Sequence, residues 1–224
     1  MSSPRYAVIG AGPMGLACAR NLQRAGIDFV GFDLHTDVGG LWDIDNPHST
    51  MYESAHLISS KRMTEFAELP MADEVAAYPS HRQVRDYLRD YADHFDLRRH
   101  YEFGTRVLEA TPLDGGDRGT GGWRLVTESD GVRETRDVAG LLVANGTRPT
   151  PYVPRLPGEF AGEVLHSSAY RTADVFAGKR VLVVGCGNSG ADIAVDAVHH
   201  AASVDLSVRR GYHFLPKFVA GRPS

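Results

Sequence analysis

Cysteine is scarce: Cys18 and Cys186 are the only two in 224 residues. They form no CxxC, which argues against a dithiol redox centre or a zinc knuckle. Each falls beside a glycine-rich turn, as a small core residue would. An excess of one charge is also missing. The formal net charge is −4 and is spread along the chain, leaving no basic footprint for nucleic acid. No apolar run reaches membrane-spanning length, and the N-terminus lacks a signal-peptide pattern. The expectation is a cytoplasmic protein with neither nucleic-acid nor membrane partners. His81, His94 and His100 have no carboxylate or cysteine at metal-ligand spacing and read as cap or surface residues, so no metal site is expected. The length admits one large domain or two smaller ones with a sizeable core.

What is present is organised around Gly10-Ala11-Gly12-Pro13-Met14-Gly15, preceded by the apolar run Tyr6 to Ile9. A short strand runs into glycines, and a helical pattern (Leu16, Ala19, Leu22) follows, with Gly26 as its stop. Such glycines let backbone approach a pyrophosphate whose charge sits at the helix N-terminus. Phe29 to Phe32 reads as the second strand, and Asp33 at its carboxyl end can accept from a ribose hydroxyl. Strand, turn, helix, strand and acid in this order indicate a dinucleotide site. Gly39-Gly40-Leu41-Trp42 then fits either a loop wrapped around the cofactor or a plain glycine turn beside a buried tryptophan.

Residues 52–70 show no clean periodicity and are expected to form a structured loop. Ser80-His81-Arg82-Gln83 is a capping box, and Val84, Tyr87, Leu88, Tyr91 and Phe95 form one face of the helix that follows. Three strands, Arg106–Ala110, Trp123–Thr127 and Val132–Asp137, predict an antiparallel meander interrupted by the glycine-rich loop Gly115 to Gly122. Leu141 to Ala144 reads as a strand buried in a parallel sheet. It ends in Asn145-Gly146-Thr147, at the carboxyl edge where open α/β sheets place ligands. Four prolines between 149 and 158 predict a stiff, extended link.

A second unit repeats the first about 175 residues on. The strand Lys179 to Val184 leads into Gly185-Cys186-Gly187-Asn188-Ser189-Gly190, then a helical pattern, then the strand Ser203 to Val208. Where the first unit offers Asp33, this one offers Ser207, Arg209 and Arg210. A carboxylate would repel a 2′-phosphate, whereas a hydroxyl and a guanidinium would bind it. The second site is therefore expected to take NADPH, and the acid-ended first site FAD.

Between the two turns lies Phe160-Ala161-Gly162-Glu163-Val164-Leu165-His166-Ser167-Ser168-Ala169-Tyr170, which fits the FxGxxxHxxxY signature of the flavin-containing monooxygenases at every fixed position. The chain resembles that family throughout, including Gly39 to Trp42, the Lys61…Met63…Phe66…Leu69-Pro70 segment, Tyr78 to His81, and Arg209-Arg210-Gly211 through Lys217. Tyr170, where related Baeyer–Villiger enzymes carry tryptophan, favours the N- or S-oxygenating branch. The resemblance implies an α/β flavoprotein with two dinucleotide-binding domains: a Rossmann-like FAD domain with a β-meander, and the start of a Rossmann-like NADPH domain. Residues 1–148 would belong to the FAD domain, 149–176 to a proline-rich linker carrying the signature, and 177–224 to the first βαβ unit of the NADPH domain. It further implies that Gly10, Gly12, Pro13, Met14, Gly15, Asp33, Gly40, Leu41, Trp42 and Asn145 hold FAD, with the Val107 backbone near its adenine. Gly185, Gly187, Asn188, Ser189, Ser207 and Arg209 would hold NADPH. Phe160, Gly162 and His166 would brace the link. No side chain is assigned as catalytic. The implied reaction puts one oxygen atom of O2 on a soft nitrogen or sulfur of a small substrate through a C4a-peroxyflavin.

Two departures qualify that expectation. The family's Thr-Asn pair beside the flavin reads Leu57-Ile58 here, and isoleucine cannot donate a hydrogen bond. An uncoupled NADPH oxidase or flavin reductase is the alternative this opens. Family members also run to roughly twice this length, so a fragment, half of a split enzyme completed by a C-terminal chain, a homo-oligomer, or a non-catalytic cofactor-binding piece are further readings.

Overall fold

The computed structural model describes residues 5–113, 121–146, 150–155 and 157–224. The chain forms two compact units, one from Met1–Ser49 and Val84–Pro149, the other from Thr50–Gln83 and Thr150–Ser224.

In the first unit, β1 (Tyr6–Ile9) leads through the glycine turn into α1 (Pro13–Arg24) and then β2 (Phe29–Phe32). Pro13 opens the helix where its missing N–H costs nothing. At the other end the Gly26 amide donates to Gln23 O and the Ile27 amide to Leu22 O, with Gly26 at φ +65°. That is a Schellman stop, which needs a residue tolerant of the left-handed region. β2 pairs in parallel with β1 on one side and with the short β3 (Tyr101–Glu102) on the other.

A meander of β4 (Arg106–Pro112), β5 (Trp123–Ser129) and β6 (Val132–Val138) follows, antiparallel throughout and running one or two residues longer than the sequence pattern indicates. Leu125 and Val138 from the meander pack with Ala7, Val30 and Phe32 from the parallel sheet. Burying side chains of this size stabilises by about 1.5–3 kcal/mol each, and this cluster joins the two sheets.

β7 (Gly140–Val143) pairs in parallel with β1, giving the order β3-β2-β1-β7. It was expected to be buried, but it is an edge strand: Leu141 and Leu142 are half-buried, and Val143 is exposed. Among the described residues only β1 hydrogen-bonds to it. The loop Gly115 to Gly122 falls mostly outside the described residues, as do Thr147 and Pro149.

α3 (His81–His94) begins in the second unit and continues through the first. Its start is the capping box read from the sequence. The Gln83 amide donates to Ser80 Oγ at 3.3 Å, and Gln83 Oε1 accepts from the Ser80 amide at 3.1 Å. Val84, Tyr87, Leu88 and Tyr91 are buried, while Phe95 is half-buried beneath the Arg20 guanidinium, 4.0 Å from its ring centre. Of the three histidines expected at caps or on the surface, His81 and His94 are the first and last residues of α3, His81 being buried there, and His100 stacks on Phe29 at 4.5 Å.

In the second unit, β8 (Arg180–Val184) and β9 (Ser203–Ser207) pair in parallel on either side of α4 (Asn188–Val198). Ile193 and Ala197 are the buried face of α4. The segment 50–83 carries one short helix, α2 (Lys61–Thr64). The Lys61 ammonium is buried and donates to three carbonyls, Ala72 O at 2.7 Å, Asp73 O at 3.1 Å and Val75 O at 2.7 Å. A hairpin of β10 (Phe218–Val219) and β11 (Arg222–Pro223) follows β9. The expected extended link from residue 150 onward is exposed and without regular structure through residue 155.

Candidate functional site: two glycine turns

The two turns have the same backbone. Gly10 and Gly185 sit at φ +104° and +101°. Gly12 and Gly187 cap their helices at φ −78° and −77°, with ψ −173° and −179°. The Gly10 amide donates to Phe32 O at 2.7 Å, and the Gly185 amide to Ser207 O at 2.9 Å. At the third glycine, a Cβ on Gly15 would lie 1.8 Å from Gly10 O, and one on Gly190 would lie 2.2 Å from Gly185 O. Helix and strand can approach this closely only without a side chain.

Gly12 and Gly187 differ from these. Their φ values are open to any residue. A Cβ on Gly187 would meet nothing within 4 Å, and one on Gly12 would make only an ordinary 3.6 Å contact with Gly40 Cα. Among the described residues nothing crowds a side chain at either position, which leaves each helix N-terminus open to a group approaching from outside. The first intrahelical amide bonds are Leu16 to Gly12 O and Ala191 to Gly187 O. The amides of Met14 and Gly15 in one turn, and of Asn188, Ser189 and Gly190 in the other, therefore precede the ladder and are donors for an anion.

Around the first turn the structure gathers several residues singled out in the sequence. The Gly39 amide donates to Ala11 O at 3.1 Å, and a Cβ on Gly40 would lie 2.8 Å from Gly12 Cα. The paired glycines therefore lie on the turn, with Leu41 exposed and Trp42 half-buried; the alternative of a buried core tryptophan does not hold. Gly10 abuts the end of β7, where its Cβ would strike Ala144 O at 2.4 Å, and exposed Asn145 follows. Met14 is exposed at the helix start. Val107 is less direct: its side chain packs on the core cluster just before a register shift between β4 and β5.

The Asp33 carboxylate accepts from the Ala11 amide at 2.5 Å and the His35 amide at 2.7 Å. Burial pushes its pKa up, and these two amides, with His35 and His48 nearby, only partly oppose the rise. A carboxylate has about four lone-pair sites, so two remain open to further donors. Tyr101, which the sequence reading did not single out, lies behind the turn. Its ring covers Gly31, where a Cβ would come within 2.4 Å, and its hydroxyl donates to Gly10 O at 3.3 Å. A glycine inside the buried strand Phe29-Val30-Gly31-Phe32 was the available signal.

Around the second turn, Ser207 pairs with Val184 as Phe32 pairs with Ile9. Val208 therefore occupies the position of Asp33, with Ser207 and Arg209 on either side. No carboxylate stands there, and Arg209 and Arg210 are exposed. Cys186 is buried in the turn, while Cys18 on α1 is half-buried. Within the signature, the His166 ring accepts from the Ser168 amide at 3.1 Å and caps a turn of 3-10 helix, Ser167–Ala169. Phe160 is exposed, its ring folded over Gly162. Tyr170 is fully buried and donates to Asp196 on α4 at 2.7 Å. Ile58 is exposed.

Comparison with known proteins decides the family. The flavin-binding monooxygenase-like pattern matches residues 3–223. The chain belongs to that family. Flavin-containing monooxygenase 5 of Oryctolagus cuniculus is 38% identical over 220 residues, which cover 94% of this chain and 41% of the rabbit protein. The structure of S-allyl-L-cysteine S-oxygenase from Allium sativum matches 98% of this chain and 54% of that one, with a TM-score of 0.84 at 25% identity. The structure of OTEMO in complex with FAD and NADP matches 92% of this chain and 39% of that one, with a TM-score of 0.70 at 28% identity. This flavin-binding monooxygenase-like chain therefore has the two-dinucleotide-binding-domain α/β fold of its relatives and spans about half their length or less. Among the described residues no helix is long and apolar enough to cross a membrane.

Proposed function

We propose that the chain binds FAD at the first glycine turn and NADPH at the second, and serves a monooxygenase that adds one oxygen atom of O2 to a soft nitrogen or sulfur of a small substrate. The observation that carries this reading is the pair Gly12 and Gly187, glycines that no protein contact demands, each at a helix N-terminus with unspent amides. The ends of the second strands divide the two nucleotides. Buried Asp33 suits the unphosphorylated ribose of FAD, and acid-free Ser207-Val208-Arg209 suits a 2′-phosphate. Gly10, Pro13, Met14, Gly15, Gly40, Leu41, Trp42, Asn145 and the Val107 backbone complete the first site; Gly185, Asn188 and Ser189 complete the second.

When bound, NADPH supplies the hydride and the flavin supplies the activated oxygen. The chain's own residues bind, orient and exclude water. In this reading residues 1–148 serve FAD, 149–176 link, and 177–224 begin the NADPH domain, in a cytoplasmic protein. A homo-oligomer or a complementary C-terminal chain covers the apolar side chains left open on β8 and β9.

The test is to purify the chain, add FAD and follow visible flavin absorbance, then add NADPH or NADH with an amine or thioether present. Retained flavin that NADPH bleaches faster than NADH, with N- or S-oxide formed, supports the proposal. A colourless protein overturns it. Exposed Ile58 favours a second reading, an NADPH oxidase or flavin reductase on the same fold. Peroxide formed in step with NADPH consumption, with no oxide, selects that reading. If flavin is retained but NADPH is not consumed, a non-catalytic cofactor-binding chain remains.

A further inference from the structure

Segment 50–56 is fastened to α4 by side chains that no cofactor motif includes. Tyr52 is buried, and its hydroxyl donates to Asp192 Oδ2 at 2.8 Å. Burial and Asp192 push the pKa of that hydroxyl up, and the Ser189 side chain, in the second glycine turn, partly opposes the rise. One turn further along α4, Asp196 Oδ2 accepts from Tyr170 at 2.7 Å and also from Ser54 Oγ. The rings of Tyr52 and Tyr170 lie 5.5 Å apart, and Phe176 stacks on the far side of Tyr170 at 5.4 Å. Around this cluster the Glu53 amide donates to Arg171 O at 2.9 Å, and Arg171 donates back to Met51 O at 2.6 Å. Asp192 and Asp196 stand four residues apart, so they share one helix face.

This arrangement bears on the N-terminus of α4. Ser189 is the second residue of the helix and carries one of the three amides that precede its ladder. A free serine hydroxyl there could turn back to bond local backbone and compete with the helical conformation. Tyr52, beside Ser189, donates instead to Asp192 on the same helix. The bonds of Tyr52 to Asp192 and of Tyr170 and Ser54 to Asp196 thus hold α4 against a segment outside the nucleotide motif.

We propose that Tyr52 is a positioning residue for the nicotinamide nucleotide: through its bond to Asp192 it fixes the N-terminal half of α4 in the conformation that receives the pyrophosphate. The inference rests on the reading of the second turn as an NADPH site. It adds that this site is completed by residues more than a hundred positions earlier in the chain.

The experiment uses the FAD-loaded chain and titrates NADP+ by calorimetry. Tyr52→Phe keeps the ring packing and removes the hydroxyl. The loss of one buried hydrogen bond corresponds to an increase in NADP+ Kd of about fivefold, with FAD affinity unchanged. Asp192→Asn retains an acceptor for Tyr52 and is expected to stay within about twofold of wild type, whereas Asp192→Ala should match Tyr52→Phe. An NADP+ Kd for Tyr52→Phe within about twofold of wild type overturns the proposal, as does an equal loss of FAD affinity. If wild type holds FAD but takes no NADP+, the NADPH reading itself fails. Hydrogen exchange at the amides of residues 188–190 then decides the clasp: faster exchange in Tyr52→Phe sustains it, and unchanged exchange overturns it.

Discussion

The Asp33 carboxylate accepts a hydrogen bond from the Ala11 amide, 22 residues earlier, at 2.5 Å. The acid at the end of β2 thereby joins the strand end to the middle of the glycine turn, and its protonation state matters to both. Its folded pKa lies above the ordinary carboxyl value because burial outweighs the amides of Ala11 and His35. The folded chain holds that proton to higher pH than the unfolded chain, so Asp33 subtracts stability as pH rises from the ordinary value through the raised one. FAD affinity should move the opposite way, tightening over the same window as the carboxylate forms. Fluorescence titration of FAD across mildly acidic pH checks this. Asp33→Asn should flatten the pH dependence and weaken FAD binding about tenfold, in line with a lost charge-assisted hydrogen bond.

Gly187→Ala and Gly190→Ala should separate binding from folding. A Cβ at Gly187 meets nothing, and its φ is ordinary, so stability should change by no more than about 1 kcal/mol while NADP+ binding is lost. At Gly190 the Cβ would lie 2.2 Å from Gly185 O, so that variant should unfold at clearly lower temperature. Thermal melts beside NADP+ titrations of both variants test the contrast.

Removing the guanidinium next to Val208 should redirect nucleotide choice. Arg209→Ala is expected to raise the KM for NADPH about tenfold and to leave that for NADH nearly unchanged, as the loss of one charged phosphate contact predicts. Steady-state assays with both nucleotides give the ratio.

Burial raises the pKa of Asp37, but hydrogen bonds from Arg98 and the Val38 amide, with Arg89 also near, bring it below the ordinary value. A depressed carboxyl contributes stability above its unfolded pKa and loses it as pH falls through the folded one. Arg98→Met should therefore cost about 1 kcal/mol at neutral pH, with the difference shrinking as the solution is acidified past the carboxyl range. Urea melts at neutral and strongly acidic pH measure it.

Ile58→Asn restores a side-chain donor at an exposed position. If the missing donor limits coupling, peroxide released per NADPH should fall in this variant while FAD affinity stays the same. A peroxide assay run beside NADPH consumption tests it.

The two turns were legible because strand, glycines, helix and a second strand recur in the same order, and local backbone rules dictate most of that unit. The capping box at Ser80 and Gln83 was legible for the same reason, since its partners are three residues apart. Long-range partners were not. Tyr52 meets Asp192 across 140 positions, and Tyr101 fills the space over Gly31 about seventy residues away. The exposure of β7 also escaped the pattern, because an apolar run reports what a strand is suited to bury and not whether neighbours are there to cover it. The sequence sets Ser207, Arg209 and Arg210 where the first unit has Asp33, and the pairing of β8 with β9 puts Val208 at the matching position, between Ser207 and Arg209.

The Lys61 ammonium, held by three carbonyls, does for the 72–75 turn what a bound potassium or calcium ion does in other loops. A tethered cation of this kind cannot be stripped by chelators or exchanged with the medium. It is also out of reach of acylating reagents while the turn stays closed, so the rate at which this amine becomes labelled is a direct clock for the opening of that loop.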